Sequence, residues 1–210
     1  LDTCKLHYDK IYQSAGPRDT AAIGSGSVSI DDLRKAIDSK KSFNKNEVRQ
    51  QCRYENGRPV VGKYNDFDVF HVDSEWVVIE PKTIQGSIAW AHGKPDGSEE
   101  TDQSRRVGWC TSVSTGNNMF PNYAGNLHMF YFIKSNYENV KGPERRICIS
   151  FAKKKGRVSI NDQRDATVNA NNVPINKKYI RKIVSEDILK KIEEAVSIRG
   201  NTSFSEIYSK

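Results

Sequence analysis

The sequence predicts an α+β fold, a central and mainly antiparallel sheet with helices at both ends of the chain. Three observations carry that expectation. From Val60 the apolar period changes to two in FDVFHV (67–72) and EWVVIE (75–80), and NLHMFYFIK (126–134), RRICISFAK (145–153) and GRVSIN (156–161) read as successive strands. The last three of these runs follow one another with only short turn-forming stretches between them, at Asn139 to Pro143 and Lys154 to Gly156, so they pair as a meander. Apolar residues spaced three and four apart collect instead toward the two ends of the chain, which separates helices from strands along the sequence.

Taken in order, TCKLHYDKIYQS (3–14) puts Leu6, Ile11, Tyr8 and Tyr12 on one side of a short helix that Gly16-Pro17 stops, and residues 15 to 28 are too rich in Gly, Ser, Ala and Asp to bury much surface. Residues 1–28 are therefore expected to be a helix and flexible linker, and 29–210 a single α+β domain. Ser29 starts the next helix, with Asp32 as the acidic half of a capping box and Ile30, Leu33, Ala36 and Ile37 on one face. NKNEVRQQCRY (44–54) offers a second, more polar helix. Asp73-Ser74 is the tight polar link of a hairpin, Pro81 ends its second strand, and Thr83 caps a helix carrying Ile84, Ile88 and Ala91 that Gly93 closes. Near the C-terminal end Ser185 caps a helix with Ile188, Leu189, Ile192, Ala195 and Val196 on one face and Glu186 and Asp187 in its first turn.

With 210 residues, 36% of them hydrophobic and 10% aromatic, the chain can bury a sizeable core. No apolar run approaches the ~20 residues that span a bilayer, so no membrane partner is expected, and the charged opening LDTCKLHYDK is unlike a secretory signal. Lys and Arg outnumber Asp and Glu by 33 to 26, and part of the surplus sits in KKK (153–155) and KKYIRK (177–182), which points to an anionic partner, DNA or RNA among the candidates, although such a charge is also common in proteins that touch no nucleic acid. The four cysteines, Cys4, Cys52, Cys110 and Cys148, form no C-x-x-C pair and have no histidine at ligand spacing, which argues against a zinc site. They read as reduced thiols of a cytoplasmic protein. No nucleotide-binding or metalloprotease motif appears, and the sequence names no cofactor.

The stretch that packing alone does not explain is VGWCTSVST (107–115). Cys110 follows Trp109 and precedes Thr111 and Ser112, so it is the candidate nucleophile, with His92 or His128 as the base a thiol needs. The same cysteine also reads as a small buried hydrophobe. Beyond it Asn118, Phe120 and Tyr123 mix amides and rings in a loop suited to gripping a base, a ring or a peptide, and with Trp109, Thr111 and Ser112 they form the candidate binding set. Arg105, Arg106, Arg145 and Arg146, at the ends of strand-like segments, and Lys153, Lys154 and Lys155 are candidate phosphate contacts. Asp162 could act as an acid or base, or serve a turn.

VVIEPKTIQGSIAWAHG, then GWCTS, then N-x-F-x-x-Y across Asn118, Phe120 and Tyr123, then LHMFYFIK, resembles in its order a group of largely uncharacterised proteins encoded by phages and related mobile elements, in which a P-x-[ST] segment and a small-residue helix precede a W-C-T motif. The similarity covers roughly residues 76 to 165; a plasmid-transfer protein family is similar more distantly. What the resemblance implies is a phage or mobile-element setting in a bacterial host and a site at Trp109 to Ser112, without a reaction. Three functions stay open: binding or processing of nucleic acid, cysteine-dependent transfer or hydrolysis on a protein or small molecule, and a non-catalytic virion or host-takeover module.

Overall fold

In the computed structural model the described residues are 44–114, 118–152, 158–164 and 184–198. The chain divides into Leu1–Asn44 and Lys45–Lys210, and the elements below belong to the second part. The expected helices at 3–14 and 29–40, the boundary at residue 28, Lys153, Lys154 and Lys155 lie outside the described residues.

The fold is α+β, as its patterning dictates. Helix α1 (Lys45–Arg49) leads into a two-stranded hairpin of β1 (Tyr54–Glu55) and β2 (Arg58–Pro59). A six-stranded sheet follows, in the order β3 (Gly62–Lys63), β4 (Phe67–Val72), β5 (Trp76–Pro81), β6 (Leu127–Lys134), β7 (Arg146–Ala152) and β8 (Val158–Asp162). Every neighbouring pair is antiparallel, so strand order is chain order. The one long excursion lies between β5 and β6 and holds α2 (Ile84–Ala91) and α3 (Phe120–Ala124). Helix α4 (Glu186–Ile198) ends the described chain.

One difference from the sequence-based expectation lies at 44–54. The helix there stops at Arg49, and Tyr54 belongs instead to β1, which pairs with β2 across the left-handed two-residue turn of Asn56 (φ 51°) and Gly57 (φ 71°). The Asp73-Ser74 link is as expected: Asp73 Oδ1 accepts from the amides of Glu75 and Trp76, both at 2.7 Å, and holds the β4–β5 turn.

Strand alternation gives the sheet two buried faces. On one, Trp76, Val78, Phe130, Phe132, Ile147, Ile149, Phe151 and Ile160 pack against Val184, Ile188, Leu189 and Ile192 of the α4 segment. A register shift between Val69 and His71 lets Phe70 join this face, edge-on to Phe130 at 5.3 Å. The other face, carrying Val77, Ile79, Met129, Tyr131, Ile133, Arg146 and Cys148, lies under the excursion between β5 and β6.

Helix α2 is buried from Gly86 to Ala91 and contains no charged residue. Thr83 caps its start, accepting from the Gly86 amide at 3.1 Å. Its end is buried, so its last carbonyls need protein donors. Two arginines supply them. Arg49 Nη1 donates to Ala89 O (2.6 Å), and Arg146 Nη1 donates to Trp90 O (3.1 Å) and Ala91 O (2.8 Å).

Candidate functional site

The WCTS segment is tied down at both ends by elements distant in sequence. The Gly108 amide donates to Gln163 O (2.9 Å) and Trp109 Nε1 to Asp162 O (2.7 Å), which draws the segment across the end of β8. Ser112 then closes a turn, its amide and its hydroxyl both donating to Trp109 O, at 2.9 and 2.7 Å. Asn118 pins the loop from outside through Nδ2, which donates to Thr111 O (3.0 Å) and Val113 O (2.9 Å), while its Oδ1 accepts from the Phe120 amide (2.8 Å).

Beneath the turn lies a buried hydroxyl chain whose proton directions follow from donor counting. Ser87 Oγ lies 2.7 Å from Thr111 O, a pure acceptor, so its proton goes there. Ser87 Oγ then accepts from Tyr131 OH (2.7 Å), and Tyr131 accepts from Thr111 Oγ1 (2.9 Å). Burial pushes the Tyr131 phenol well above its ordinary value, so it stays protonated. Its ring packs against Trp109 with centroids 4.7 Å apart. Sheet, α2 and the WCTS turn are thereby locked to one another.

What this arrangement leaves is a cleft of about 300 Å³ between the turn and the sheet, lined by Trp109, Cys110, Thr111, Tyr123, Leu127, Met129, Cys148, Ser150, Ser159 and Asn161. Three of the binding candidates, Trp109, Thr111 and Tyr123, line it together with Cys110. The others do not. Ser112 and Asn118 are spent on the turn, and Phe120, 3% exposed, anchors α3 in the core. Thr111 commits its hydroxyl to Tyr131, so it contributes shape rather than a polar contact.

The expected catalytic group is not assembled. His128 projects from β6 to the opposite face of the sheet from Met129 and Tyr131, where its Nδ1 stands 3.6 Å from Glu80, so it is no base for Cys110. His92 Nε2 donates to Ser112 O at 3.2 Å and is absent from the cleft lining. Asp162 turns its carboxylate to the Arg164 amide (2.8 Å) and only its carbonyl to Trp109. The Cys110 side chain is half-buried, and those of Cys52 and Cys148 are buried, Cys148 Sγ lying 3.6 Å from Ser150 Oγ. Among the described residues no group of three or more His, Cys, Asp or Glu side chains is placed to hold a metal ion.

The phosphate candidates are also redistributed. Arg146 is 0% exposed and spent on α2 carbonyls, and Arg145 is buried with Nε on Tyr137 O and Val140 O, both 3.1 Å. Their guanidinium groups sit 4.7 and 5.0 Å from the Tyr137 ring. Arg105 pairs with Glu138 at 2.6 Å and Asp102 at 3.2 Å. Of the four arginines only Arg106 is exposed. Acidic side chains slightly outnumber basic ones among the described residues, so the net +7 resides in segments beyond them.

Burial, reinforced by the positive charge of Lys45, pulls His92 from its ordinary 6.5 down to about 4. In the unfolded chain the imidazole titrates near its ordinary value, so the stability gained by keeping it neutral is complete above that pH and is lost as pH falls toward about 4. The loss amounts to at most about 3 kcal/mol. Urea unfolding compared at about pH 7 and about pH 4.5 checks this, and in His92→Gln that part of the pH dependence is expected to vanish.

Sequence reading missed Ser150, Ser159 and Asn161 as cleft residues. The signal was present for β8, where Ser159 and Asn161 flank buried Ile160 in strict alternation. Compared with known proteins, the chain matches no family model, no curated protein and no solved structure.

Proposed function

We propose that this protein binds nucleic acid and holds a base in the cleft beside Trp109 and Cys110, in the phage or mobile-element setting and bacterial cytoplasm that its motif order suggests. One observation carries the reading: a cleft of about 300 Å³ lined by Trp109 and Tyr123 together with Ser150, Ser159 and Asn161. A nucleobase offers a π-face to stack and an edge of donors and acceptors to bond, and these two kinds of wall match it. The chain's surplus of +7, which lies in segments outside the described residues, is of the sign that attracts phosphate.

Covalent chemistry at Cys110 has weaker support, because neither His92 nor His128 is among the described residues that line the cleft. A purely structural role for the motif predicts a filled turn, whereas an open cleft adjoins this one. Binding of a labelled single-stranded oligonucleotide, followed by anisotropy as salt is raised, tests the proposal. The affinity is expected to fall linearly on a log–log plot, by about 0.7 per phosphate contact for a single strand. No affinity at low salt, or affinity indifferent to salt, overturns it.

A further inference from the structure

Among the described residues ten line the cleft, and none of these is charged. Among the described residues, Arg105 is engaged with Glu138 and Asp102, and Arg146 with the end of α2. We infer that the cleft admits only the uncharged ring of its ligand, a planar heteroaromatic base, and leaves phosphate outside. This deepens the nucleic-acid reading and rests on it.

Burying a phosphate in such a lining would leave its charge without a partner, which is strongly unfavourable. A neutral ring meets no such penalty. The sheet wall is built to bond its edge, because Ser150 stands opposite Ser159 across the β7–β8 ladder and Cys148 opposite Asn161. Residues two apart on a strand repeat at about 7 Å on one face, so these groups form a row on the scale of a base edge. Trp109, which also lines the cleft, is 3% exposed and packed against Tyr131 with centroids 4.7 Å apart, so this part of the lining is held in place. A base inside a duplex has its edge paired and both faces stacked and cannot enter. The occupant is therefore a base turned out of an unpaired strand, or the same ring as a free nucleoside.

The test measures binding to the unaltered full chain at low salt. The probes are a single-stranded oligonucleotide, a deoxyribose-phosphate polymer of equal length without bases, a duplex of the same sequence, and a free nucleoside with its 5′-triphosphate. The single strand is expected to bind about tenfold or more tightly than the baseless polymer or the duplex. The nucleoside is expected to compete for the cleft as well as its triphosphate does. Filling the slot with Ser159→Trp is expected to remove the preference for bases while leaving the affinity for the baseless polymer and the melting temperature unchanged. Equal binding of strand and baseless polymer overturns the inference and leaves nucleic-acid binding standing, as does a triphosphate that outcompetes its nucleoside about tenfold. Nucleoside binding without strand binding identifies a free nucleoside as the ligand and overturns the nucleic-acid reading. Binding of none of these overturns both.

Discussion

Gly86→Ala is expected to destabilise the protein by about 3 kcal/mol or more, at the upper end of what overpacking costs. A Cβ at this position would stand 2.0 Å from the carbonyl oxygen of Asp66 and 2.8 Å from its carbon. That carbonyl cannot yield, since it accepts from the amides of Lys82 (2.9 Å) and Thr83 (3.2 Å), and the Asp66 carboxylate holds the Thr83 hydroxyl at 2.6 Å. Gln51 fastens the same aspartate from α1's side by donating to its carboxylate and accepting from its amide. The start of β4, the cap of α2 and the end of α1 thus meet at one residue, and glycine is what lets α2 come so close. The next residue is Ser87, which anchors the Tyr131–Thr111 chain under the cleft, so oligonucleotide binding is expected to fall with stability. Urea midpoints measure the loss. Gly125→Ala is the control: its Cβ would find no atom nearer than 3.8 Å, and its effect should be neutral or slightly stabilising.

The sheet was legible because each of its long strands carries its own period. Phe67–Val72 and Trp76–Pro81 are short runs rich in β-branched and aromatic residues with an aspartate turn between them, so their pairing and order follow from the short connection. Caps were legible too, since Thr83 and Ser185 announce their helices by local chemistry, Ser185 Oγ accepting from the Ile188 amide at 3.4 Å. What a strand's period does not reveal is which side faces what when both sides are buried. In LHMFYFIK six consecutive residues are buried, so nothing in that string separates His128 from Met129, and the cleft lies on the methionine side. The arginines were misread for a related reason. A sequence shows Arg145-Arg146 beside a strand end, where solvated arginine is common, and hides that Trp90 and Ala91, more than fifty positions earlier, need donors. The β1–β2 hairpin is a different case: Asn56-Gly57 is a strong local signal, but its strands are two residues long and too short to show a period.

Arg146→Met is expected to cost about 3–5 kcal/mol, the range for removing one side of a buried charged arrangement. The guanidinium is 0% exposed, and burial draws its pKa below the ordinary arginine value, opposed chiefly by Tyr137. It remains charged because its surroundings are electron-rich. Nη1 serves two carbonyls at the negative end of α2, Nε donates to Tyr137 OH at 3.2 Å, the Tyr137 ring lies 4.7 Å away, and the carboxylate of Glu100, itself 3% exposed, is near enough to favour the cation. Methionine fills much of the volume and supplies none of this. Trp90 O and Ala91 O lose donors, and Glu100, which keeps the Asp102 amide at 2.9 Å and Arg105 Nη1 at 3.9 Å, loses a favourable buried cation. Two further variants separate those losses. Arg146→Lys is expected to recover only part of the stability, because a single ammonium cannot reach both carbonyls and the phenol. Arg146→Met combined with Glu100→Gln is expected to be more stable than Arg146→Met alone, since neutralising the stranded carboxylate removes its desolvation penalty. By contrast Glu100→Gln in the unaltered background should weaken the protein. A double variant no better than Arg146→Met in urea unfolding would mean that the arginine acts on the helix end alone and leaves Glu100 indifferent to it.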